Sequence, residues 1–434
     1  MAALSSGANA WPLMSLTRVL FYLPLPPPDR KHYVPFHRGV GQIAAVLSAA
    51  GCRVVLRMPW HLTEVQARAE IAAAGARFVL VSLATPQAAL LRPIAAAAAA
   101  TGAALLAGGP HPTFAPDETL AVPGVTAIVR GEGERAAAAF VAGEADRPGL
   151  IRPGGDPAAA GELADLADLP LPDRDIFHAC PDFKFERRVI GHEFAASRGC
   201  PYRCRYCSNA GRLGAYGAAF QRRLPVERVI AEAAAALARD PDTAIVGFND
   251  DIFAQDIDWL GEFAVRWRAT IKKPFWVNGH PALLTQERVR LLKRAGCARM
   301  HVGVEAGDEA LRRTILGRTM SNDTIVRACE RLRRAGIRIV TFIMLGAPGE
   351  SEETYRKTVA LLRRIRPSWV IQSFFMPLPG TPLGEECRAQ APGKSWEALS
   401  DHSFYLAPGR SWTPFLTTER LKELGAGLLK DVYS

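Results

Sequence analysis

Ser197-Arg198-Gly199-Cys200-Pro201-Tyr202-Arg203-Cys204-Arg205-Tyr206-Cys207 sets three thiols at C-x3-C-x2-C spacing. The run just before the cysteines, residues 193–197, reads as a strand, so the thiols fall in the loop at its C-terminal end. In α/β barrels that end carries the chemistry. Clustered thiolates bind soft centres, either iron–sulfur clusters or zinc. A structural zinc site is closed by four ligands. The fourth here could only be something like Cys180 or His192, neither at a finger-like spacing. Three ligands on a four-iron cluster would instead leave one iron open to a small molecule. The spacing favours the cluster, with a zinc-stabilised, non-catalytic binding protein as a rival.

Downstream, strand-like runs at 193–197, 244–248, 275–278, 299–304, 338–345 and 369–375 alternate with helix-like runs at 225–239, 256–271, 285–295, 322–335 and 352–365. Two units resemble each other: Leu291-Leu292-Lys293-Arg294-Ala295-Gly296 and Leu332-Arg333-Arg334-Ala335-Gly336. Each ends a helix on glycine and leads into a strand. Six strands in series with helices between them predict a partial (β/α)6 barrel of TIM type. Beyond Pro382 the aromatic residues Trp396, Phe404, Tyr405 and Trp412 are expected to cover the barrel mouth.

Upstream, the first part of the chain repeats strand, glycine-closed helix and strand: 19–23, a helix ending at Gly51, 54–58, 78–83, 104–107 and 127–130. This alternation predicts a Rossmann-like parallel sheet wound on both faces, binding ligands at the strands' C-terminal ends. The stretch that follows is rich in Gly, Pro, Ala and Asp. The expected organisation is therefore 1–142 as the Rossmann-like domain, 143–185 as a linker, 186–384 as the barrel and 385–434 as a substrate-covering segment.

The chain has 434 residues, 49% hydrophobic, with a formal net charge of +10. That length supports two or three domains, each with its own core. Arginines such as Arg331, Arg333 and Arg334 sit at a helix end, where they complement the helix dipole. No RNA-binding signature accompanies the charge, so nucleic acid is not expected as a partner. The apolar run 93–107 is too short to span a bilayer, and the N-terminus lacks the shape of a secretory signal. Of the eight cysteines, the five outside the cluster loop are scattered. They form no secreted disulfide framework, and a cytoplasmic location is expected.

C-x3-C-x2-C with Tyr206 before the last cysteine resembles the signature of the radical S-adenosylmethionine (SAM) superfamily, and the likeness extends over roughly residues 190–385. It implies a four-iron, four-sulfur cluster on Cys200, Cys204 and Cys207, with SAM on the open iron. Phe248-Asn249-Asp250-Asp251-Ile252-Phe253 resembles the segment that holds the methionine amino group, with paired acids in place of a Gly-Gly-Glu-like sequence. Asp250 and Asp251 could otherwise cap the following helix. Gly303-Val304-Glu305-Ala306-Gly307 resembles the motif whose glutamate contacts SAM. The segments around Gly346 and Pro379 resemble those that pack on adenine.

The first domain resembles the cobalamin-binding domains attached to one branch of that superfamily. The likeness rests on Ser82 and Thr85 after one strand, Gly108 and Gly109 after the next, and Gly131 with Glu132 after another. Glycines there let a bulky corrinoid approach the backbone. The Asp-x-His-x-x-Gly motif of other corrinoid proteins is absent: Asp29 and His32 are out of register. His37 and His111 are ligands by type alone, each more simply a satisfied loop histidine. Gly39-Val40-Gly41-Gln42-Ile43-Ala44 fits a loose dinucleotide fingerprint, but a long loop precedes it, and glycines opening a helix are the better reading.

The resemblance implies an enzyme that uses SAM, the cluster and cobalamin, with an electron donor such as flavodoxin or ferredoxin. Its expected reaction is methylation of an unactivated carbon of a small metabolite, in a natural-product or specialised lipid pathway. A non-methylating cyclisation, oxidation or rearrangement is the alternative. Transfer-RNA methylthiolating enzymes share the barrel but need three further cysteines in the first domain, and this chain has only Cys52 before Cys180.

Overall fold

The structure, a computed structural model, describes residues 17–26, 36–400 and 408–434. Its first sheet contains β1 (Thr17–Tyr22), β2 (Cys52–Arg57), β3 (Phe78–Ser82), β4 (Ala104–Gly108), β5 (Ala127–Val129) and β6 (Leu150–Ile151), in the order β2-β1-β3-β4-β5-β6. All pairs are parallel except β5 with β6. The strands read as continuous apolar runs because helices cover both faces. The helices Arg38–Ala49 and Glu134–Ala142 pack together, as do Glu64–Ala74 and Leu91–Thr101. β1 pairs with both β2 and β3. The strand order therefore reverses there, and a ligand crevice opens at such a switch point.

The second sheet contains β7 (His192–Phe194), then, after a short antiparallel ribbon of β8 (Ser197–Arg198) and β9 (Arg222–Arg223), β10 (Val246–Phe248), β11 (Phe275–Gly279), β12 (Cys297–Glu305), β13 (Arg338–Leu345) and β14 (Trp369–Phe374). Its order is β14-β13-β12-β11-β10-β7. Each strand lies beside the previous one in the chain, as in a barrel, and the sheet stays open as a half-barrel. The repeated helix ends behave as read: Gly296 and Gly336 both adopt positive φ, at 103° and 67°, where a side chain would be strained.

Two expectations are corrected. Residues 143–185 are not a loose linker. β6 closes the first sheet, Phe177 is buried in that sheet's core, and Ala164, Leu166 and Leu169 are buried in the core of the second. Nor does the end of the chain simply cover the mouth. The helix Thr418–Tyr433 sinks Leu421, Leu424, Leu428 and Val432 into the barrel core, and the Tyr355 hydroxyl donates to Asp431 Oδ2 at 2.7 Å. Its apolar stripe at helical spacing makes it an outer-layer helix. Trp396 and Trp412 join Leu316, Met344 and Phe375 in a smaller core. Phe404, Tyr405, Asp29 and His32 lie outside the described residues.

The two sheets are tied by charge and by close packing. Arg198 in β8 pairs with Glu132 at 2.8 Å and also with Glu134. Arg222 in β9 donates to Glu132 at 3.1 Å. Arg38 and Arg174 share the buried Glu232, at 2.6 and 3.2 Å. The Phe114 ring of the first domain sits directly over Gly380 and Gly211, where any side chain would collide with it. Buried pairs like these specify one docking geometry more than they add stability.

Candidate active site between the two sheets

The three cysteines occupy the loop between β8 and the helix Ser208–Tyr216. Gly199, at φ 95°, turns the chain into the loop; a Cβ there would lie 2.7 Å from the Phe220 carbonyl oxygen. Cys207 stands just before the helix without a side-chain capping bond, and its backbone N–H donates to the Cys204 carbonyl at 3.1 Å. Burial, reinforced by Asp251 and the neighbouring thiols, pushes Cys200 up to about 12 and Cys207 up to about 11. Cys200 and Cys207 are therefore thiols at neutral pH unless a cationic centre draws off their protons. Among the described residues no three His, Cys, Asp or Glu side chains converge as the ligands of one ion would. Three free thiols on one short loop suit an iron–sulfur cluster, which is held by cysteine sulfurs. Neither suggested fourth ligand belongs to it. Cys180 is buried in the first domain's core, and His192, at the start of β7, lies 3.2 Å from Asp240.

The paired acids at the end of β10 divide. Asp250 is 1% exposed; it accepts the Ala196 N–H at 2.9 Å and the Ser197 hydroxyl. Burial raises its pKa against those two bonds. Its carboxylate fastens the cluster loop to the barrel. Asp251 is exposed and lines a cavity together with Cys207 and Asn249. Both acids lie in the loop after β10, where the chain bends at Asp251, and they meet different environments there.

Glu305 ends β12 on a register shift with φ at 68°, a left-handed conformation that is rare for a residue with a side chain. Such strain persists where the surroundings impose it, often at functional sites. Burial pushes Glu305 up, opposed by Arg318 and by a hydrogen bond with Tyr206, and burial likewise raises Tyr206. Gly346 follows β13 at φ 80°, and its N–H is held by the Glu350 carboxylate. Pro379 follows β14, buried next to the Gly380 that packs under Phe114.

The cavity beside Asp251, about 440 Å³, lies between the domains. From the first domain it is lined by Ser82, Gly108, Gly109, Gly131 and Glu132, and from the cluster side by Gly199, Cys207 and Arg212. Gly109 has φ 98°, and a Cβ there would lie 2.7 Å from the Leu83 carbonyl oxygen. The backbone is thus bared at the crevice, as a large flat ligand requires. Thr85 departs from expectation: it is buried away from the cavity lining, with its hydroxyl 3.4 Å from His111 Nδ1. Burial lowers His111 to about 4, so it is neutral. His37 does line the cavity, but its Nδ1 accepts the Val40 N–H at 3.3 Å and caps a helix. Of the loose fingerprint, Gly41 serves packing, since a Cβ there would lie 3.0 Å from the Asp173 carbonyl oxygen.

Three residues escaped the sequence reading. Arg198 stands in the quoted stretch, yet its carboxylate partners are far away in the chain. Tyr202 stacks on His280 at 3.8 Å between ring centroids. Arg318 reaches Cys204 from a turn that carries no motif.

Two family profiles divide the chain: the B12 binding domain matches residues 32–141 and the radical SAM superfamily matches residues 195–362. The chain belongs to the cobalamin-binding branch of the radical SAM enzymes. It is 23% identical over 348 residues to the bacteriochlorophyllide d C-12(1)-methyltransferase of Chlorobaculum tepidum, spanning 77% of this chain and 70% of that protein. An uncharacterised methyltransferase of Pyrococcus horikoshii is 24% identical over 64% of this chain and 61% of its own length. The same fold is seen in the radical SAM methyltransferase TsrM of Kitasatospora setae with cobalamin and a [4Fe-4S] cluster bound, with TM-score 0.66, 17% identity, and coverage of 96% of this chain and 89% of that one. The cofactors of this branch are therefore a [4Fe-4S] cluster, SAM and cobalamin. Among the described residues no helix is long and apolar enough to cross a membrane.

Proposed function

We propose that this radical SAM enzyme methylates an unactivated carbon of a small metabolite, in a natural-product or specialised lipid pathway. The observation that supports this most is the shared cavity. Ser82, Gly108 and Gly109 open onto it from the corrinoid-type domain, and Cys207 and Asp251 from the cluster loop. A methyl carrier and a SAM site that share one space suit transfer between them. When bound, the cluster supplies the electron that cleaves SAM, and the corrinoid carries the methyl group.

In this reading Cys200, Cys204 and Cys207 hold the cluster, and Gly199 and Asp250 set the loop that presents them. Asp251, Tyr206 and Glu305 seat SAM, with Gly346 and Pro379 beside the adenine. Ser82, Gly108, Gly109 and Gly131 form the corrinoid cradle. Glu132 acts through Arg198 and Arg222, whose charges hold its carboxylate ionised despite burial. We take residues 1–142 as the corrinoid domain, 143–185 as the packed connection, 186–384 as the SAM barrel and 385–434 as a C-terminal segment whose last helix completes the barrel's outer layer. Eight free thiols suit a reducing cytoplasm and an external donor such as flavodoxin or ferredoxin. A single cysteine before Cys180 argues against a second cluster and an RNA substrate.

The test is anaerobic incubation of the reconstituted enzyme with reductant, cobalamin and methyl-labelled SAM across a panel of small metabolites. A labelled product one methylene heavier supports the proposal. Turnover of SAM to 5′-deoxyadenosine with a changed product that carries no label would replace methylation by a cyclisation, oxidation or rearrangement.

A further inference from the structure

Arg318 is 8% exposed, a full charge inside the protein, and among the described residues no carboxylate stands at salt-bridge distance from it. Gly317, at φ 68°, turns the chain inward just before it. One terminal nitrogen, Nη1, donates to Cys204 Sγ at 3.6 Å and to the Tyr206 hydroxyl at 3.4 Å. The other, Nη2, donates to the Gly303 carbonyl at 2.7 Å. Gly303 leaves room for it, since a Cβ there would come within 3.2 Å of Nη2. The segment is also zipped to the cysteine loop by its backbone, with the Arg205 N–H on the Leu316 carbonyl at 3.0 Å. Among the described residues no other cation donates to a sulfur of the three cysteines.

A buried guanidinium needs a counter-charge. Of the groups that the guanidinium touches, Cys204 is the one that is a cluster ligand, and the Nη1–Sγ contact sets the charge on that sulfur. A hydrogen bond and a fixed positive charge on one ligand sulfur stabilise the more negative, reduced cluster and raise its potential.

We propose that Arg318 is a positioning residue that sets the reduction potential of the cluster, through its N–H···S contact with Cys204. The inference rests on the cluster reading above. It makes one sulfur of the three electronically distinct and couples it to Tyr206 and to the end of β12, where Glu305 stands. Electron entry and SAM seating thus share one side chain.

The test uses the full chain, labelled with [guanidino-15N2]arginine so that the backbone nitrogens of Arg203 and Arg205 stay silent, reconstituted anaerobically and reduced. Pulsed electron paramagnetic resonance of the wild type should show weak 15N coupling to the cluster spin. Redox titration should place the midpoint of Arg318→Gln below the wild type, with Arg318→Lys between them, at equal iron content. A cluster signal without 15N coupling would overturn this inference alone, as would a midpoint unchanged in a fully loaded Arg318→Gln or Arg318→Lys. Absence of any four-iron signal in the wild type would overturn the cluster reading as well. If neither variant loads, the wild-type coupling decides.

Discussion

Asp250 and Asp251 are neighbours in sequence, and replacing them by alanine should fail in opposite ways. Asp250→Ala removes the acceptor of two donors, the Ala196 N–H and the Ser197 hydroxyl, at a site 1% exposed. Each buried donor left without a partner costs about 1–3 kcal/mol. The serine hydroxyl can rotate to a new acceptor, so the total should be about 2–4 kcal/mol. For a domain of this size that lowers the melting temperature by roughly 5–12 °C. Asp251→Ala, at an exposed position, should change stability by no more than about 0.5 kcal/mol. It should instead weaken SAM binding by roughly 10- to 100-fold, the loss of one charge-assisted hydrogen bond. Thermal unfolding of the metal-free proteins and equilibrium dialysis of SAM on the reconstituted ones measure both effects. The reasoning is refuted if Asp250→Ala melts with the wild type, or if Asp251→Ala is the variant that loses stability.

Three further outcomes follow from the same contacts. Burial pushes Glu350 from 4.5 up to about 7. The stability it contributes is therefore complete below about pH 4.5 and is lost as pH rises through 7, on the order of 3 kcal/mol. Glu350→Gln should abolish that loss and melt above the wild type at pH 8 but not at pH 4.5; parallel pH profiles of the two proteins would contradict this. Arg198→Ala strands Glu134, 3% exposed, without its cation. It should destabilise by about 3–5 kcal/mol; urea titrations of variant and wild type measure the difference, and coincident midpoints would contradict it. Gly109→Ala places a Cβ 2.7 Å from the Leu83 carbonyl oxygen at φ 98°. It should weaken corrinoid binding, read by absorbance titration with hydroxocobalamin, while leaving iron loading intact.

The parts of this account that were legible in the sequence are those encoded by local spacing. Three thiols in one loop, glycine stops such as Gly296 and Gly336, and largely apolar strands such as 338–345 carry their meaning within a few residues. What was not legible depends on long-range register. The division of labour between Asp250 and Asp251 depends on how the loop after β10 folds back on Ala196 and Ser197. Thr85 looked like a ligand contact, yet the turn after β3 directs it to His111. β6 is two residues long, and only its pairing with β5 makes it a strand. The helix Thr418–Tyr433 shows an amphipathic stripe, but the sequence does not say which surface receives it. Arg318 resembles any surface arginine until β12 and the cysteine loop are brought around it.

The central claim is that Cys200, Cys204 and Cys207 carry a four-iron cube with one iron left for SAM. The direct measurement is electron paramagnetic resonance of the anaerobically reconstituted, reduced protein before and after addition of SAM, with Cys204→Ala as control. A [4Fe-4S] signal whose g-values shift with SAM, and which is lost in Cys204→Ala, is the expected result. A signal indifferent to SAM, or zinc in place of iron and sulfide, would contradict it.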